Sequence, residues 1–394
     1  LILLYPQLVA GIAFLGVDRA VAILGGRGEL ARPVVTIIKL VLLFSIPAMI
    51  AGYATVAWRV ADAHLAGLST MYLLYVPAMH FFLLAVSLFN GIGDFTRFNR
   101  TRLGFYIMNF ALVLVIWLAA PTILPPLDWV VSANLAAVYG VLALAIWMLR
   151  GFKRTVSSKP VGSGKGDVRA VLGLAVVFAL PVTLSQFSSS AYQIALEHLM
   201  GVGALGFFVV FLSYSRLLSP IGGAIGSHVF RLGISGGSRD IARIFRLSLL
   251  VYLGCAIPLG LVSGWLIPMI FGRDFVVDCG TVGILLVSTL FALLGDSMAE
   301  YLNGQRKVAA DIAGRILYLI SLVLLGVWWV PTLGLLGIAL AMATGDMLRC
   351  GLLVSRVSYD TERTIDEFWR VTWADISDLL RAGNKILHGF LAGR

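Results

Sequence analysis

Long apolar runs separated by short charged breaks restrict the fold of this chain more than any other feature. A helix rises about 1.5 Å per residue, so a run of about 20 residues crosses the roughly 30 Å hydrocarbon core of a bilayer. The runs lack the alternating pattern of a membrane barrel, which favours helices. Eleven runs of this kind cover approximately residues 1–24, 33–58, 68–90, 103–124, 127–149, 171–192, 202–223, 245–271, 276–301, 316–330 and 333–355. They predict an all-α polytopic membrane protein.

The composition supports this prediction. Hydrophobic residues make up 59% of the chain and charged residues 13%, against about 25% charged in soluble domains. If the breaks are taken alternately, one set and the C-terminal segment hold 25 of the 30 Lys and Arg residues, and the opposite set holds only Arg59 and Arg273. By the positive-inside rule, the basic breaks and the C-terminus are cytoplasmic. The net charge of +10 then reflects topology, and we expect no nucleic-acid partner.

One charged break occurs twice in the sequence. LFNGIGDFTRFNRTR, residues 88–102, resembles YLNGQRKVAADIAGR, residues 301–315, and Asn90 and Asn303 are 213 positions apart. Both copies lie on the same predicted side of the membrane. The chain is therefore predicted to contain two halves related by a pseudo-two-fold axis along the membrane normal.

The flanking spans extend this repeat. Pro47 and Pro258 are 211 positions apart, and FLGVDRAV around Arg19 aligns with FLSYSRLL around Arg216 at a spacing of 197. Span 171–192 has no counterpart in the first half, so we expect two halves of six helices with the first helix lying before residue 1. The predicted domains are the first half at 1–149, a basic cytoplasmic linker at 150–169, the second half at 170–355 and an amphipathic tail at 356–394.

Other motifs argue against bound cofactors. GSGKGD in the linker lacks the spacing and the preceding strand of a phosphate-binding loop. Cys255, Cys279 and Cys350 are scattered and form no metal-binding pattern. We expect no cofactor and no metal.

Several stretches carry a family resemblance. GLAVVFALPVTLSQFSSS, YSRLLSPIGGAIGSHVFR, IFGRDF and YLNGQRK, in two six-helix halves, resemble the polysaccharide-transporter branch of the multidrug/oligosaccharidyl-lipid/polysaccharide exporter superfamily. The resemblance covers nearly all of residues 1–356. It implies a flippase, not an enzyme, in a bacterial or archaeal cytoplasmic membrane. Such a flippase moves a polyprenyl-diphosphate-linked oligosaccharide from the inner to the outer leaflet by alternating access, for surface polysaccharides such as O-antigen. Its partners would be the bilayer, this lipid-linked glycan, and glycan polymerase or assembly proteins.

Basic residues inside the spans are candidate substrate ligands, because charges are costly in a membrane and usually face a cavity or a partner. Arg19 and Arg216 are the leading pair, since the forked guanidinium suits a diphosphate. The resemblance also implies cavity arginines in these two helices. Lys39 is a further candidate. The alternative is that all three side chains extend to the membrane interface.

Polar and acidic residues complete the set of candidates. Asp296 and Glu300 are four residues apart and are predicted either to couple transport to a cation or proton or to cap their helix. Asp346 and Arg349 are expected to neutralise each other. His80 either lines the cavity or is a buried hydrogen-bonded residue. Gln186, in a stripe of serines, either contacts sugar hydroxyls or joins helices.

The C-terminal tail is predicted to be amphipathic. The segment TIDEFWRVTWADISDLLR begins with a capping box and is predicted to form one amphipathic helix, on the inner leaflet or against a partner.

A multidrug or cation exporter of the same fold is the main alternative to the flippase, and a non-transporting scaffold for glycan-assembly enzymes is the next. A membrane glycosyltransferase is disfavoured because the external breaks are short.

Overall fold

The computed structural model describes residues 16–30, 32–59, 62–119, 127–150, 167–237, 240–272 and 275–381, and this part contains helices and no strand. In chain order the longer helices are α1 Val17–Gly26, α2 Pro33–Arg59, α3 Ala63–Tyr72, α4 Tyr75–Ile92, α5 Phe95–Ala119, α6 Leu127–Arg150, α7 Asp167–Ser215, α8 Ser219–Ser235, α9 Ile241–Phe271, α10 Cys279–Gly304, α11 Ala309–Leu333 and α12 Leu335–Asp360. The segment α7 consists of two helices joined at Gly201, whose φ of 84° and ψ of 173° are not helical. Two short helices follow, α13 Ile365–Trp369 and α14 at 373–381.

Nine segments of the described chain are long and apolar enough to cross a membrane. They correspond to nine of the eleven predicted runs, which confirms the all-α polytopic fold. Of the other two runs, 1–24 lies mostly outside the described residues. Run 103–124 overlaps α5, and its last residues, 120–124, are also outside them.

The chain forms two compact units, Leu1–Thr183 and Leu184–Arg394. Their boundary lies inside α7. Val171 and Ala175 at the start of α7 are buried in the core of the first unit, whereas Tyr192 packs with Phe208 in the second. The predicted linker at 150–169 lies almost entirely outside the described residues, so the predicted domain boundaries stay a prediction.

The repeated break forms the same turn in both units. Gly93 N–H donates to the Asn90 carbonyl at 3.1 Å, and Arg306 N–H donates to the Asn303 carbonyl at 2.9 Å. Gly93 and Arg306 both have left-handed backbone, with φ of 77° and 67°. This is the helix-ending Schellman geometry. The sequence repeat is therefore also a repeat of local structure, at the spacing of 213.

The ends of α1 and α8 correct one part of the repeat alignment. Gly28 and Gly236 terminate these helices with φ of 70° and 73°, and they are 208 positions apart. At this spacing Arg19 corresponds to Ser227, so its alignment with Arg216 was wrong. The error of 11 positions is about three helical turns. The aligned stretches are mostly small and apolar, and such residues determine the register poorly.

The tail packs against the start of α9. Phe368 is fully buried, and the rings of Phe245 and Trp369 meet edge-to-face at 5.0 Å. Arg246 donates to both carboxylate oxygens of Asp375, at 2.8 and 3.2 Å. One face of the tail is thus covered by its own chain.

The tail is also broken where one helix was predicted. The capping box between Thr364 and Glu367 is present. However, α13 ends at Trp369, and a new helix begins after Thr372, whose backbone N–H donates to Asp375 at 2.9 Å. Thr372 therefore caps a second helix, because its hydroxyl oxygen accepts from the Asp375 backbone N–H at 3.4 Å. The same hydroxyl donates to the Asp375 carboxylate at 2.7 Å.

Candidate substrate cavity

A polar cavity of about 210 Å³ lies within the second unit, between α7, α10, α11 and α12. Its wall combines hydroxyl groups, charged groups and a few apolar side chains. The lining residues are Ser185, Ser188, Tyr192, Leu212, Arg216, Ser219, Ser288, Thr289, Ala292, Leu293, Asp296, Arg315, Tyr318, Met342, Asp346 and Arg349. Such a group of ionisable side chains inside membrane-spanning helices marks a candidate site.

Two arginines and two aspartates form an ion-pair network along one side of the cavity. Arg349 Nη2 lies 2.7 Å from Asp296 Oδ1 and 3.2 Å from Asp311 Oδ1. Arg315 Nε lies 3.0 Å from Asp311 Oδ1, and its Nη2 lies 3.8 Å from Asp296. Two positive and two negative charges therefore compensate each other across three helices.

Burial makes this compensation necessary. The side chains of Asp311 and Arg349 are 2% and 6% exposed, whereas that of Asp296 is 49% exposed and faces the cavity. Asn303 adds a hydrogen bond to the second oxygen of Asp311, at 3.2 Å. A buried charge without its partner is costly, so the network holds α10, α11 and α12 in one arrangement.

Asp346 has a different partner from the one expected. The structure shows no ion pair between Asp346 and Arg349 within the described chain. Arg349 pairs with Asp296 and Asp311 instead, and Asp346 accepts a hydrogen bond of 2.6 Å from the Ser288 hydroxyl. Asp346 is 6% exposed and lines the cavity.

Arg216 presents a cationic group to the cavity. It begins a short 3-10 turn, Arg216–Leu218, directly after α7. The turn is held from both sides, because Ser215 donates to the Leu212 carbonyl at 2.9 Å and Thr289 donates to Ser215 at 3.1 Å. Arg216 is exposed, and among the described residues no carboxylate lies within ion-pair distance of it.

The first unit lacks this network at the equivalent positions. The spacing of 213 pairs Asp311 with Phe98 and Arg315 with Arg102. The Arg102 guanidinium lies 5.8 Å from the centre of the Phe98 ring. A cation–aromatic contact in one unit therefore replaces an ion pair in the other, and the buried network belongs to the second unit.

Three predicted site residues lie in the first unit. His80 is fully buried and bonds to the Ser45 hydroxyl at 2.8 Å. Lys39 is exposed on α2, beside exposed Leu42 and Leu43. Arg19 is half-buried near the start of α1. The role of these three residues in substrate binding stays a prediction.

The other predicted residues lie on α7 and α10. Asp296 and Arg216 line the cavity. Glu300 lies one turn after Asp296 and faces Gly226 of α8. The side chain of Gln186 lies outside the described residues, but Ser185 and Ser188 of the same stripe line the cavity.

Sequence reasoning missed Asp311 and Arg315 as site residues and misassigned Arg349. One signal pointed to Arg315, because it occupies the position of Arg102 in the duplicated break. Asp311 and Arg349 gave no comparable signal, since Arg349 is 53 positions from its partner Asp296 and on another helix.

Solved structures of known proteins share this fold. A structure of MATE in the straight conformation matches with a TM-score of 0.71 and 16% identity, over 91% of this chain and 85% of that chain. An outward-facing multidrug resistance MATE family transporter of the MOP superfamily matches over the same shares, with a TM-score of 0.69 and 15% identity. No protein-family model and no curated protein matches the chain.

A third structure comes from Pyrococcus furiosus Vc1. It is a MOP superfamily transporter for which a reverse polarity of the binding pocket is said to suggest a different function. It matches with a TM-score of 0.70 and 13% identity, over 91% of this chain and 85% of that chain. Together these likenesses show that the chain has the fold of the MATE transporters.

Proposed function

We propose that this protein is a membrane transporter, not an enzyme, and that it flips a polyprenyl-diphosphate-linked oligosaccharide from the inner to the outer leaflet by alternating access. The fold supports transport, since solved structures that share it are transporters. The substrate class rests on the second-unit cavity, on the family resemblance and on the physics of the cargo. A glycan diphosphate crossing the bilayer unaided would leave many polar groups without partners, at several kcal/mol each.

Arg216 is the single observation that carries the substrate class. Within the cavity, Arg315 and Arg349 are neutralised by Asp296 and Asp311. Arg216 is exposed, and no carboxylate of the described chain lies within ion-pair distance of it, although Asp346 lines the same cavity. A guanidinium in this state is suited to an anionic group such as a diphosphate.

The hydroxyl groups of the cavity suit the rest of the substrate. Five serine and threonine side chains line the wall, and a sugar offers many hydroxyls that can bond to them. The lipid tail requires no place inside, because it can stay in the bilayer while the head group is moved.

Substituting Arg216 tests the flippase. In proteoliposomes, we expect Arg216→Ala to slow the transfer of a fluorescent polyprenyl-diphosphate glycan by roughly 10- to 100-fold, the value of one lost charge-assisted hydrogen bond. The control is Arg370→Ala, which removes an exposed arginine from the tail. Equal rates for wild type and Arg216→Ala would contradict the proposal.

Export of a soluble organic cation is the second candidate, and one observation favours it. The Asp296 carboxylate is paired with Arg349 but is 49% exposed at the cavity wall, so a soluble cation can reach it. Ethidium efflux from the same proteoliposomes separates the two functions. Efflux that needs Asp296 but not Arg216, without glycan transfer, would replace the flippase by a cation exporter. The absence of both activities would favour a scaffold.

A further inference from the structure

A second pocket lies in the first unit, far along the chain from the candidate substrate cavity. It is a groove of about 540 Å³ between the start of α5 and the end of α6. Arg97, Arg100, Trp147, Met148 and Arg150 line it. Three guanidinium groups and one indole ring thus share a single concave surface.

Packing between α5 and α6 brings these residues together. The Thr101 hydroxyl donates to the Met148 sulfur at 3.1 Å in a buried contact. One turn further along α5, Gly104 lies so close to α6 that an added Cβ would be 3.1 Å from Leu144. Arg100 precedes Thr101 and Arg150 follows Met148 by two residues, so both arginines are held at the same end of the helix pair.

The groove keeps an excess of positive charge. Arg97 Nη1 pairs with the Asp94 carboxylate at 3.2 Å. Arg100 and Arg150 are exposed, and the described residues provide no carboxylate within ion-pair distance of either. Two cationic groups are therefore open to an anion, and the paired Arg97 adds donors at the rim.

The two arginines on α5 occupy positions that hold no arginine in the second unit. The equivalent helix start in the second unit lies on the same predicted side of the membrane. At the spacing of 213, Arg97 and Arg100 correspond to Ala310 and Ala313. The positive-inside rule is thus satisfied in the second unit by Arg306, Lys307 and Arg315, and only Arg315 shares a position with an arginine of the first break. The positions of the α5 arginines are therefore not required by topology.

Trp147 indicates the depth of the groove in the membrane. Its side chain is 66% exposed and lies one turn before Arg150. Tryptophan is enriched where the hydrocarbon meets the head groups, because its ring is apolar and its N–H is polar. Met148 extends the apolar wall below the arginines. A charged rim above an apolar wall matches the boundary between a lipid head group and its chains.

We propose that this groove binds the phosphate group of an anionic phospholipid from the predicted cytoplasmic leaflet. Arg100 and Arg150 bind the phosphate oxygens, and Trp147 packs against the glycerol and the upper acyl chains. Basic pockets between spanning helices on the cytoplasmic side suit such head groups. The site is independent of the proposed flippase, since it uses no residue of the second-unit cavity.

The test measures lipid retention by the full-length protein. The protein is exchanged into nanodiscs of phosphatidylcholine with a minor share of phosphatidylglycerol, and retained lipid is counted by native mass spectrometry. We expect wild type to retain phosphatidylglycerol selectively. Arg100→Ala/Arg150→Ala should weaken this retention by roughly 30-fold, because each basic residue near an anionic surface contributes about a factor of five. Arg370→Ala/Arg381→Ala removes two exposed arginines elsewhere and should have little effect.

A charge-conserving variant and two competitors make the result decisive. Arg100→Lys/Arg150→Lys keeps the charge and should retain more lipid than the alanine variant, even if the latter folds poorly. Equal retention of both lipids by wild type, or equal losses in the two alanine pairs, would overturn the site. Displacement by inorganic phosphate would assign it to a free anion instead. Displacement by farnesyl diphosphate at far lower concentration than phosphatidylglycerol would assign it to the transported diphosphate.

Discussion

Arg349 is the residue on which the charge balance of the second-unit cavity depends most. It is 5% exposed and contacts both Asp296 and Asp311. We expect Arg349→Met to lower the free energy of unfolding by about 3–5 kcal/mol, because it leaves a buried negative charge without compensation. Thermal unfolding of the purified protein in detergent measures the loss.

Arg102 supplies a control for this prediction from the first unit. It occupies the position of Arg315 in the first unit but stacks on Phe98, and such a contact contributes about 0.5–1 kcal/mol at an exposed site. Arg102→Met should therefore destabilise much less than Arg349→Met. Similar losses for the two variants would mean that the ion-pair network stabilises the fold no more than the contact between Arg102 and Phe98 does.

Individual residues were the hardest to predict from the sequence. Asp296 was recognised because a carboxylate in an apolar run is conspicuous, and the structure places it at the cavity. Its partners could not be found in this way, since pairing depends on which helix faces pack against each other. Asp346 and Arg349, three apart, were an attractive pair by spacing alone, yet the structure gives each a partner on another helix.

The stability of the two short tail helices is expected to depend on pH. The hydrogen bond from Arg246, followed by those from Thr372, lowers the pKa of Asp375 from 3.8 to about 2. The folded chain thus binds this proton more weakly than the unfolded chain. The resulting stabilisation is present above about pH 4 and is lost as the pH falls toward 2.

Limited proteolysis of the tail tests this dependence. In detergent at pH 7, we expect Asp375→Asn to expose the tail to cleavage after α12, because Arg246 loses its charged partner. Asp378→Asn is the control, since its pair with Arg243 is about half exposed and contributes little. An acid-stable protease should cleave wild type increasingly between pH 4 and pH 2. Cleavage independent of pH and of Asp375 would contradict the assignment.

Elements were predicted better than their registers. The apolar runs located nine spans because length and hydropathy alone decide whether a helix can cross a bilayer. The turn after α10 was recognisable because Asn303 and Gly304 repeat Asn90 and Gly91. The register of α1 against α8 was wrong, since the true markers were Gly28 and Gly236 rather than Arg19 and Arg216.

The orientation of the whole molecule can be tested with a native cysteine. Cys279 is exposed at the start of α10, on the predicted outer side, whereas Cys350 is buried. With Cys255 and Cys350 replaced by serine, an impermeant maleimide should label Cys279 in intact cells. The comparison is Ser235→Cys in a chain whose native cysteines are all serine, because Ser235 is exposed at the end of α8, on the predicted inner side. That variant should react only after the cells are opened. The reverse pattern would invert the predicted topology.

The left-handed turns at Gly93 and Arg306 also carry a historical consequence. A backbone with φ of 67° is strained for arginine and natural for glycine. Matching turns at one fixed spacing are what a gene duplication leaves behind, and glycine fits the backbone of both turns. The copy with Arg306 in place of glycine is also the copy with Asp311 one turn before Arg315. One turn geometry is therefore kept in both copies, whereas the residues that follow it form different contacts in each.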